Sequence, residues 1–457
     1  MKRKLAILFT ALLLGLQGSP AHAASAGAGT ETEPAAGATR LTLREAIELG
    51  LKANLGVLVA KSAVDEAAGT RERRSATLLP HVSAQHTTSL QNRNLQAFGI
   101  SLPGFPIPAT VGPFSNYDYR VFASQSLIDR QASHTLKASQ DQEQASRLTY
   151  QDARDLVVQQ AAGLYLDAQS AAAQVEAAES RLVASKALLQ LAQDQHGAGL
   201  ATAVDVVRAQ VQVQRDQQTL LVDRDTYATS VLALERFLAI RPGTPLELAE
   251  RLTFHPVHVP DVEEALGTAV LDRSDYRSLL VQRKSLAEQL KASRARYLPK
   301  FSIDGNYGAL GRSYGTMPGI GFIEGTVQLT VFDRDRDGEQ KEIASRIERI
   351  DRQIADLKLG IEQDLRKAIL DLDSAAQQVT VTQAALELAQ QELALSQDRF
   401  KNGLGDNIEV ITAQSALQAA QDDHILALAR HADATMALVR ALGAGEKNYV
   451  KFPGVPR

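Results

Sequence analysis

From Ile343 onward, apolar residues recur at alternating spacings of four and three: Ile343, Ile347, Ile350, Ile354, Leu357 and Ile361. This period is the seam of a coiled-coil helix. One extra step of four reaches Leu365. The seam then resumes through Ala368, Leu372, Ala375, Val379, Thr382, Leu386, Ala389, Leu393, Ser396 and Phe400. The extra step is a stutter, which locally unwinds the supercoil. From about residue 335 to 400 there is no proline, and Gly338 and Gly360 are the only glycines. At a rise of 1.5 Å per residue such a helix runs for roughly 100 Å, too long for one compact core. A second seam in the same register uses Leu164, Ala168, Ala171, Val175, Ala178, Leu182, Ser185 and Leu189. Its small residues allow close helix approach.

Four shorter segments alternate with period two instead. In Tyr117 to Leu127, Tyr117, Tyr119, Val121, Ala123 and Leu127 take one face, and Asp118, Arg120, Ser124 and Ser126 the other, with Phe122 as the exception. In Phe301 to Ala309, Phe301, Ile303 and Tyr307 oppose Ser302, Asp304 and Asn306. In Ile323 to Val331, Ile323, Val327, Leu329 and Val331 oppose Glu324, Thr326, Gln328 and Thr330. A weaker candidate spans Val82 to Leu90. About nine to eleven residues suffice for a tilted strand to cross a bilayer. Long helices with polar faces offer little core to cover four strands, so a membrane barrel is the better reading. Four strands cannot close one, because single-chain barrels start at about eight. Two chains would make an eight-strand barrel with a filled interior. Three would make twelve strands and an open lumen, which suits the charges and amides at Asp118, Arg120, Asp304, Asn306, Glu324 and Gln328.

The pattern is written twice. Leu166-Asp167 matches Leu370-Asp371, Ser170-Ala171-Ala172 matches Ser374-Ala375-Ala376, and Gly199-Leu200 matches Gly403-Leu404, all at an offset of 204. Leu79-Pro80 matches Leu298-Pro299 at 219, so the first copy holds about 15 extra residues, assigned to a Pro/Gly-rich loop over Gly99 to Pro113. Each copy is predicted to run helix, two strands, long helix, turn, helix.

Composition narrows the setting. Lys2, Arg3 and Lys4 precede a short apolar run, Leu5 to Leu16, and Ala21-His22-Ala23 fits a cleavage site, so residues 1–23 are expected to be a signal peptide. The signal carries three of the 49 basic residues, leaving 46 against 53 acidic ones and a formal charge of −7. That balance lacks the basic footprint of a nucleic-acid binder. There is no cysteine, which excludes thiolate metal sites and an acylated mature N-terminus. No other run is long and apolar enough for a transmembrane helix, so membrane entry would be by β-barrel. Beyond the signal, the expected organisation is a flexible segment at 24–40, a first repeat at 41–240, a linker at 241–259, a second repeat at 260–443 and a tail at 444–457. The strands fall at about 80–130 and 299–333, and the hairpin tips near 197–202 and 402–406.

The tips read Gln195-His196-Gly197-Ala198-Gly199-Leu200-Ala201-Thr202-Ala203-Val204-Asp205-Val206 and Arg399-Phe400-Lys401-Asn402-Gly403-Leu404-Gly405-Asp406-Asn407-Ile408-Glu409-Val410. Gly199 and Gly403 suit the left-handed position that ends a helix. Thr202 with Asp205, and Asp406 with Glu409, have the spacing of a capping box.

This doubled turn resembles the TolC-like outer membrane efflux family. So do the Leu-Pro before each strand pair and the Ile128-Asp129 and Phe332-Asp333 after it. The likeness covers nearly all of residues 41 to 443. It implies a mainly α protein with membrane β: a homotrimer with a twelve-helix periplasmic barrel continued by a twelve-strand barrel in outer-membrane lipid. It also implies a passive exit duct that binds a periplasmic adaptor and serves an inner-membrane transporter. By the same likeness Gly199, Leu200, Gly403, Leu404 and Arg399 belong to adaptor-docking tips, and Asp205 and Glu409 to an acidic ring at the periplasmic entrance. The chain departs from the pattern at Gln195 and His196, where copy two has Arg399 and Phe400. It departs again at Gly405, where some members carry a gating basic residue.

Other chemistry is sparse. Asp333-Arg334-Asp335-Arg336-Asp337-Gly338 resembles half a calcium loop, but Ala344 stands where a bidentate glutamate belongs. His255 and His258 lack a third ligand, and His424 and His431 are one heptad apart on a helix face. No phosphate loop, dinucleotide fingerprint or nucleophile elbow is present, so neither a cofactor nor an enzyme is expected. A type I protein-secretion channel and a barrel-anchored structural coiled coil remain as alternatives.

Overall fold

A proline closes the helical approach to each strand pair, and the sheet begins at the next residue. In the computed structural model, Pro80 precedes strand β2 (His81–Asn94) and Pro299 precedes β5 (Lys300–Gly311). Residues 39–95, 97, 99, 108–402, 404–443 and 445–449 are described. The signal peptide, most of the segment up to residue 40, Gly403 and residues 450–457 lie outside them. Residues from Arg40 onward form one compact unit, and the unit before it is described only at Thr39.

After β1 (Thr39–Leu41), the first repeat opens with two helices where one was expected, α1 (Leu43–Ala53) and α2 (Leu55–Ala76). Thr42 and Glu45 form a reciprocal capping box at the start of α1. Asn54 breaks the run because its side-chain oxygen accepts the Gly56 N–H at 2.8 Å, starting a new helix. The second repeat also breaks, at Arg273 and without a side-chain cap bond, between α5 (Val262–Asp272) and α6 (Ser274–Arg294). The long helices are α3 (Arg130–Gly197, 68 residues) and α7 (Asp335–Lys401, 67 residues). Each turns back into a 35-residue partner, α4 (Ala203–Phe237) or α8 (Asn407–Ala441). A short strand, β4 (Leu246–Leu248), pairs with β1 in the linker, and α9 (Gly445–Asn448) follows α8.

Buried residues on α7 follow the seam: Ile343, Ile350, Ile361, Leu365, Ala368, Leu372, Ala375, Val379, Ala389 and Phe400. The largest core cluster lies where α1, α3, α4 and α8 meet. Tyr165, Ile47, Leu234 and Leu238 are almost fully buried there, and the Tyr165 hydroxyl donates to the Leu41 carbonyl at 2.9 Å. Burial pushes the Tyr165 hydroxyl pKa up. No helix among the described residues is long and apolar enough to cross a membrane.

The sheet is antiparallel and ordered β2-β3-β5-β6, with β3 at Thr110–Ile128 and β6 at Gly319–Gln328. The strand limits differ from those read from the sequence, and β2 runs on past Leu90 to Asn94. Residues 110–113, expected in a loop, belong to β3. Thr110 and Val111 pair with Asn94 and Arg93, and Gly112-Pro113 falls at a register shift, where a missing N–H costs no ladder bond. The fourth strand is not Ile323 to Val331 but begins at Gly319 and ends at Gln328. Its last partner is Lys300, the first residue of β5, so Leu329 and Val331 have no strand to pair with. Its start was masked because Gly319 and Gly321 stand where alternation calls for large apolar residues. The Tyr307 ring covers Gly321 instead, and a Cβ there would meet Tyr307 Cδ2 at 3.0 Å. Among the described residues β2 and β6 each have one free edge.

Candidate functional site

Direct pairing puts the two strand faces on firm ground. Asp118 and Arg120 share a face with Phe122, which pairs with Asn306. Ser124 pairs with Asp304 and Asp304 with Glu324. Lys300 pairs with Gln328. All six polar positions singled out from the sequence, Asp118, Arg120, Asp304, Asn306, Glu324 and Gln328, therefore lie on one face. Tyr117, Tyr119, Val121, Ile303, Tyr307, Ile323 and Val327 lie on the other. Asp118 grips Arg120 with both oxygens, at 2.7 Å from Nε and 2.5 Å from Nη2.

The far ends of the hairpins carry the second constellation. Gly199 has φ +76°, the left-handed conformation that ends a helix. The Leu200 N–H donates to the Gln195 carbonyl at 2.8 Å and the Gly199 N–H to His196 at 3.0 Å, completing a Schellman turn. In copy two the Leu404 N–H donates to Arg399 at 2.8 Å, the same register, although Gly403 itself lies outside the described residues. Both turns push a leucine outward, with Leu200 79 % and Leu404 74 % exposed.

The two acids of the proposed ring are held differently. Asp205 Oδ2 accepts the Thr202 hydroxyl at 2.6 Å and the Thr202 N–H at 2.9 Å, and Arg208 stands 3.6 Å from Oδ1. The Thr202 hydroxyl bond above all holds the carboxyl below the usual carboxylate range, against the opposing effect of burial. The capping box expected at Asp406 and Glu409 does not form. Asp406 makes no side-chain cap bond, and Glu409 Oε2 instead lies 3.2 Å from Arg399 Nε. Copy one has Gln195 in place of that arginine, so its acid stays in the cap. Gly405 makes room for the pair, since a Cβ there would stand 3.0 Å from Glu409 Oε2 and 3.1 Å from Arg399 Cβ. Arg399 also donates from Nη2 to the Leu404 carbonyl at 3.3 Å.

Sequence reasoning missed what joins the two tips. Asn407, fully buried, donates from Nδ2 to the Asp205 carbonyl at 2.9 Å. Gln195 donates to the Phe400 carbonyl at 3.4 Å, and Phe400 packs with Leu188 and Val410. The available signal was asymmetry: Asn407 stands where the first copy has Ala203. Beside the tips, Val204, Val207, Val211 and Ile408 line a groove of about 490 Å³ between α4 and α8, flanked by Arg208 and Arg215.

No group of residues able to hold a metal ion occurs among the described residues. The Asp333 to Gly338 stretch forms a strand-to-helix junction, where Arg296 pairs with Asp333 at 2.6 Å and Asp335 at 3.2 Å. His431 is buried against Phe254.

Long helical hairpins carried on a four-stranded amphipathic sheet define the class of outer-membrane duct proteins. The chain belongs to the outer membrane efflux protein family, whose model matches residues 46–239 and 266–444. It is 25 % identical over 342 residues to the pyoverdine export outer membrane protein OpmQ of Pseudomonas aeruginosa, covering 74 % of this chain and 70 % of that one. It is 24 % identical over 420 residues to the toluene efflux pump outer membrane protein TtgC of Pseudomonas putida, covering 88 % and 83 %. Its fold is similar to that of the Campylobacter jejuni CmeC outer membrane channel, with a TM-score of 0.77 at 16 % identity over 90 % of this chain and 88 % of that one. The Vibrio cholerae outer membrane protein VceC gives a TM-score of 0.75 at 16 % identity over 88 % and 96 %.

Proposed function

We propose that the chain is the outer-membrane exit duct of a tripartite efflux pump: a passive homotrimeric channel, reaching into the periplasm and opened when an adaptor and an inner-membrane transporter dock. The observation that carries this reading is the open sheet. It has four strands, a polar face, an apolar face and two free edges, and it needs more strands to close. Three copies give twelve strands around a lumen lined by Asp118, Arg120, Asp304, Asn306, Glu324 and Gln328, with the apolar face toward lipid. The apolar stripe left bare on α7 at Leu359, Leu370, Val381, Leu388 and Leu395 supports self-association, since a neighbouring copy would cover it.

The exposed tips at Leu200 and Leu404, with Gly199, Gly403 and Arg399, are the adaptor's landing points. Asp205 and Glu409 contribute six carboxylates to a periplasmic constriction, which favours cations. The curated relatives are named for unlike cargoes, pyoverdine and toluene among them. That supports a duct whose cargo is chosen by the pump it serves.

The native mass of the signal-cleaved protein in detergent tests the reading. A mass of three chains is expected, and a stable folded monomer would overturn it. Reversing Asp205 and Glu409 together should weaken cation preference in bilayer recordings. Unchanged selectivity would remove the ring assignment while leaving the channel intact.

A further inference from the structure

Phe122 breaks the alternation of β3, and the register shows where the break lands. Phe122 lies directly opposite Asn306, and Asn306 directly opposite Phe322. In the next row on the same face, Ser124, Asp304 and Glu324 are aligned in the same way. Strands about 4.8 Å apart, and rows about 7 Å apart, bring two rings and two carboxylates into one patch.

Among the described residues no cation pairs with the acids of that patch. Arg120 is gripped by Asp118, with its guanidinium 5.2 Å from the Phe122 ring centre. Lys300 is held by Gln131 at 2.9 Å and Asp129 at 3.5 Å. Asp304 accepts only the Ser302 hydroxyl, at 2.9 Å, and Glu324 has no ion-pair partner among the described residues. Like charges directly opposite in a ladder are destabilising, so the sheet gains nothing from the pair. Asn306, only 8 % exposed, sits between the two rings, and its amide has no hydrogen-bond partner among the described residues.

We propose that Phe122, Asn306, Phe322, Asp304 and Glu324 form a contact site for amphipathic organic cations, molecules with a positive charge on an apolar or aromatic body. The inference rests on the polar face being the lumen of the assembled channel. The carboxylates draw in the charge, the Phe322 ring faces the cation, the Phe122 ring, which already carries the Arg120 guanidinium, packs against the apolar body, and the Asn306 amide supplies a donor and an acceptor. An aliphatic or fully polar lining would offer one half of that chemistry without the other.

The test is block of single-channel potassium current by tetraphenylphosphonium, using the purified assembly in planar bilayers. Block is expected in the unaltered protein. The half-blocking concentration should rise about tenfold in Phe122→Leu/Phe322→Leu, which keeps bulk and removes the rings. A comparable rise is expected in Asp304→Asn/Glu324→Gln. Tetraphenylborate, the same shape with a negative charge, should block far less. Equal block in all variants, or equal block by the anion, would overturn the site while leaving the channel standing. A folded assembly of three chains in which Asp118→Cys is out of reach of a water-soluble thiol reagent would instead overturn the lumen reading, and the site with it.

Discussion

Helices α3 and α7 descend from one repeated pattern and live in different surroundings. Twenty residues of α3 are buried against ten of α7, in helices of nearly equal length. Position 166 and its counterpart 370 are both leucine, yet Leu166 is 7 % exposed and Leu370 69 %. The cause is packing partners. Helix α3 is flanked by α2 and α6 toward the sheet and by α4 and α8 toward the tip, and α1 and α9 also pack on it. Helix α7 packs mainly on α5, α6 and α8, meets α3 near the tip at Phe400, and keeps Leu359, Leu370, Val381, Leu388 and Leu395 bare. A repeat can thus conserve a seam while burial is decided by what the rest of the chain lays across it. One copy builds the protomer's interior and the other leaves an apolar face bare.

The sharpest way to break this comparison is a charge at the two matched leucines. Leu166→Asp should unfold the helical unit, because an unpaired buried charge costs several kcal/mol. Leu370→Asp should keep the helical circular dichroism and reduce the native mass from three chains to one. A trimer that survives Leu370→Asp would mean the bare stripe is not an interface.

Asn407→Ala should lower stability by about 1 kcal/mol, since the Asp205 carbonyl loses its donor. Ala203, its counterpart, has no such bond to lose. Thermal melting of the variant against the parent chain measures the difference.

Arg399→Ala should change folding stability by at most about 1 kcal/mol, because the pair with Glu409 is largely exposed. Its larger effect falls on the channel. Glu409 is released and cation preference rises in bilayer recordings, whereas Gln195→Ala releases no charge.

The smallest effect is a pH dependence confined to the first tip. The folded Asp205 carboxyl sits below its unfolded value of about 4. Its contribution is therefore full above that pH and fades as pH falls through the lower folded value. Melting temperatures at pH 7 and pH 3 should differ less in Asp205→Asn than in the parent chain.

Much of the helical plan was legible because the seam of Ile343 to Phe400 repeats often enough to reveal its period. The break at Asn54 was not, since one capping side chain interrupts an otherwise helical run. Strand alternation located Asp118, Asp304 and Glu324 on a common face, but glycines at 319 and 321 erased the start of β6. At the tips, spacing found Asp205 and its cap. It could not tell Glu409 from Asp205, because the choice between capping and pairing with Arg399 depends on a side chain ten residues away and on the space left by Gly405.

The two free edges of the sheet also set the terms of biogenesis. Until copies meet, β2 and β6 expose rows of unpaired backbone groups, the kind of template on which chains aggregate. In the trimer proposed above, completion of the sheet is an intermolecular step that joins three chains, so its stability depends on protomer concentration. A lone chain would be exposed to misassembly for as long as it waits for its neighbours, and overproduction would raise both the rate of correct closure and the rate of error.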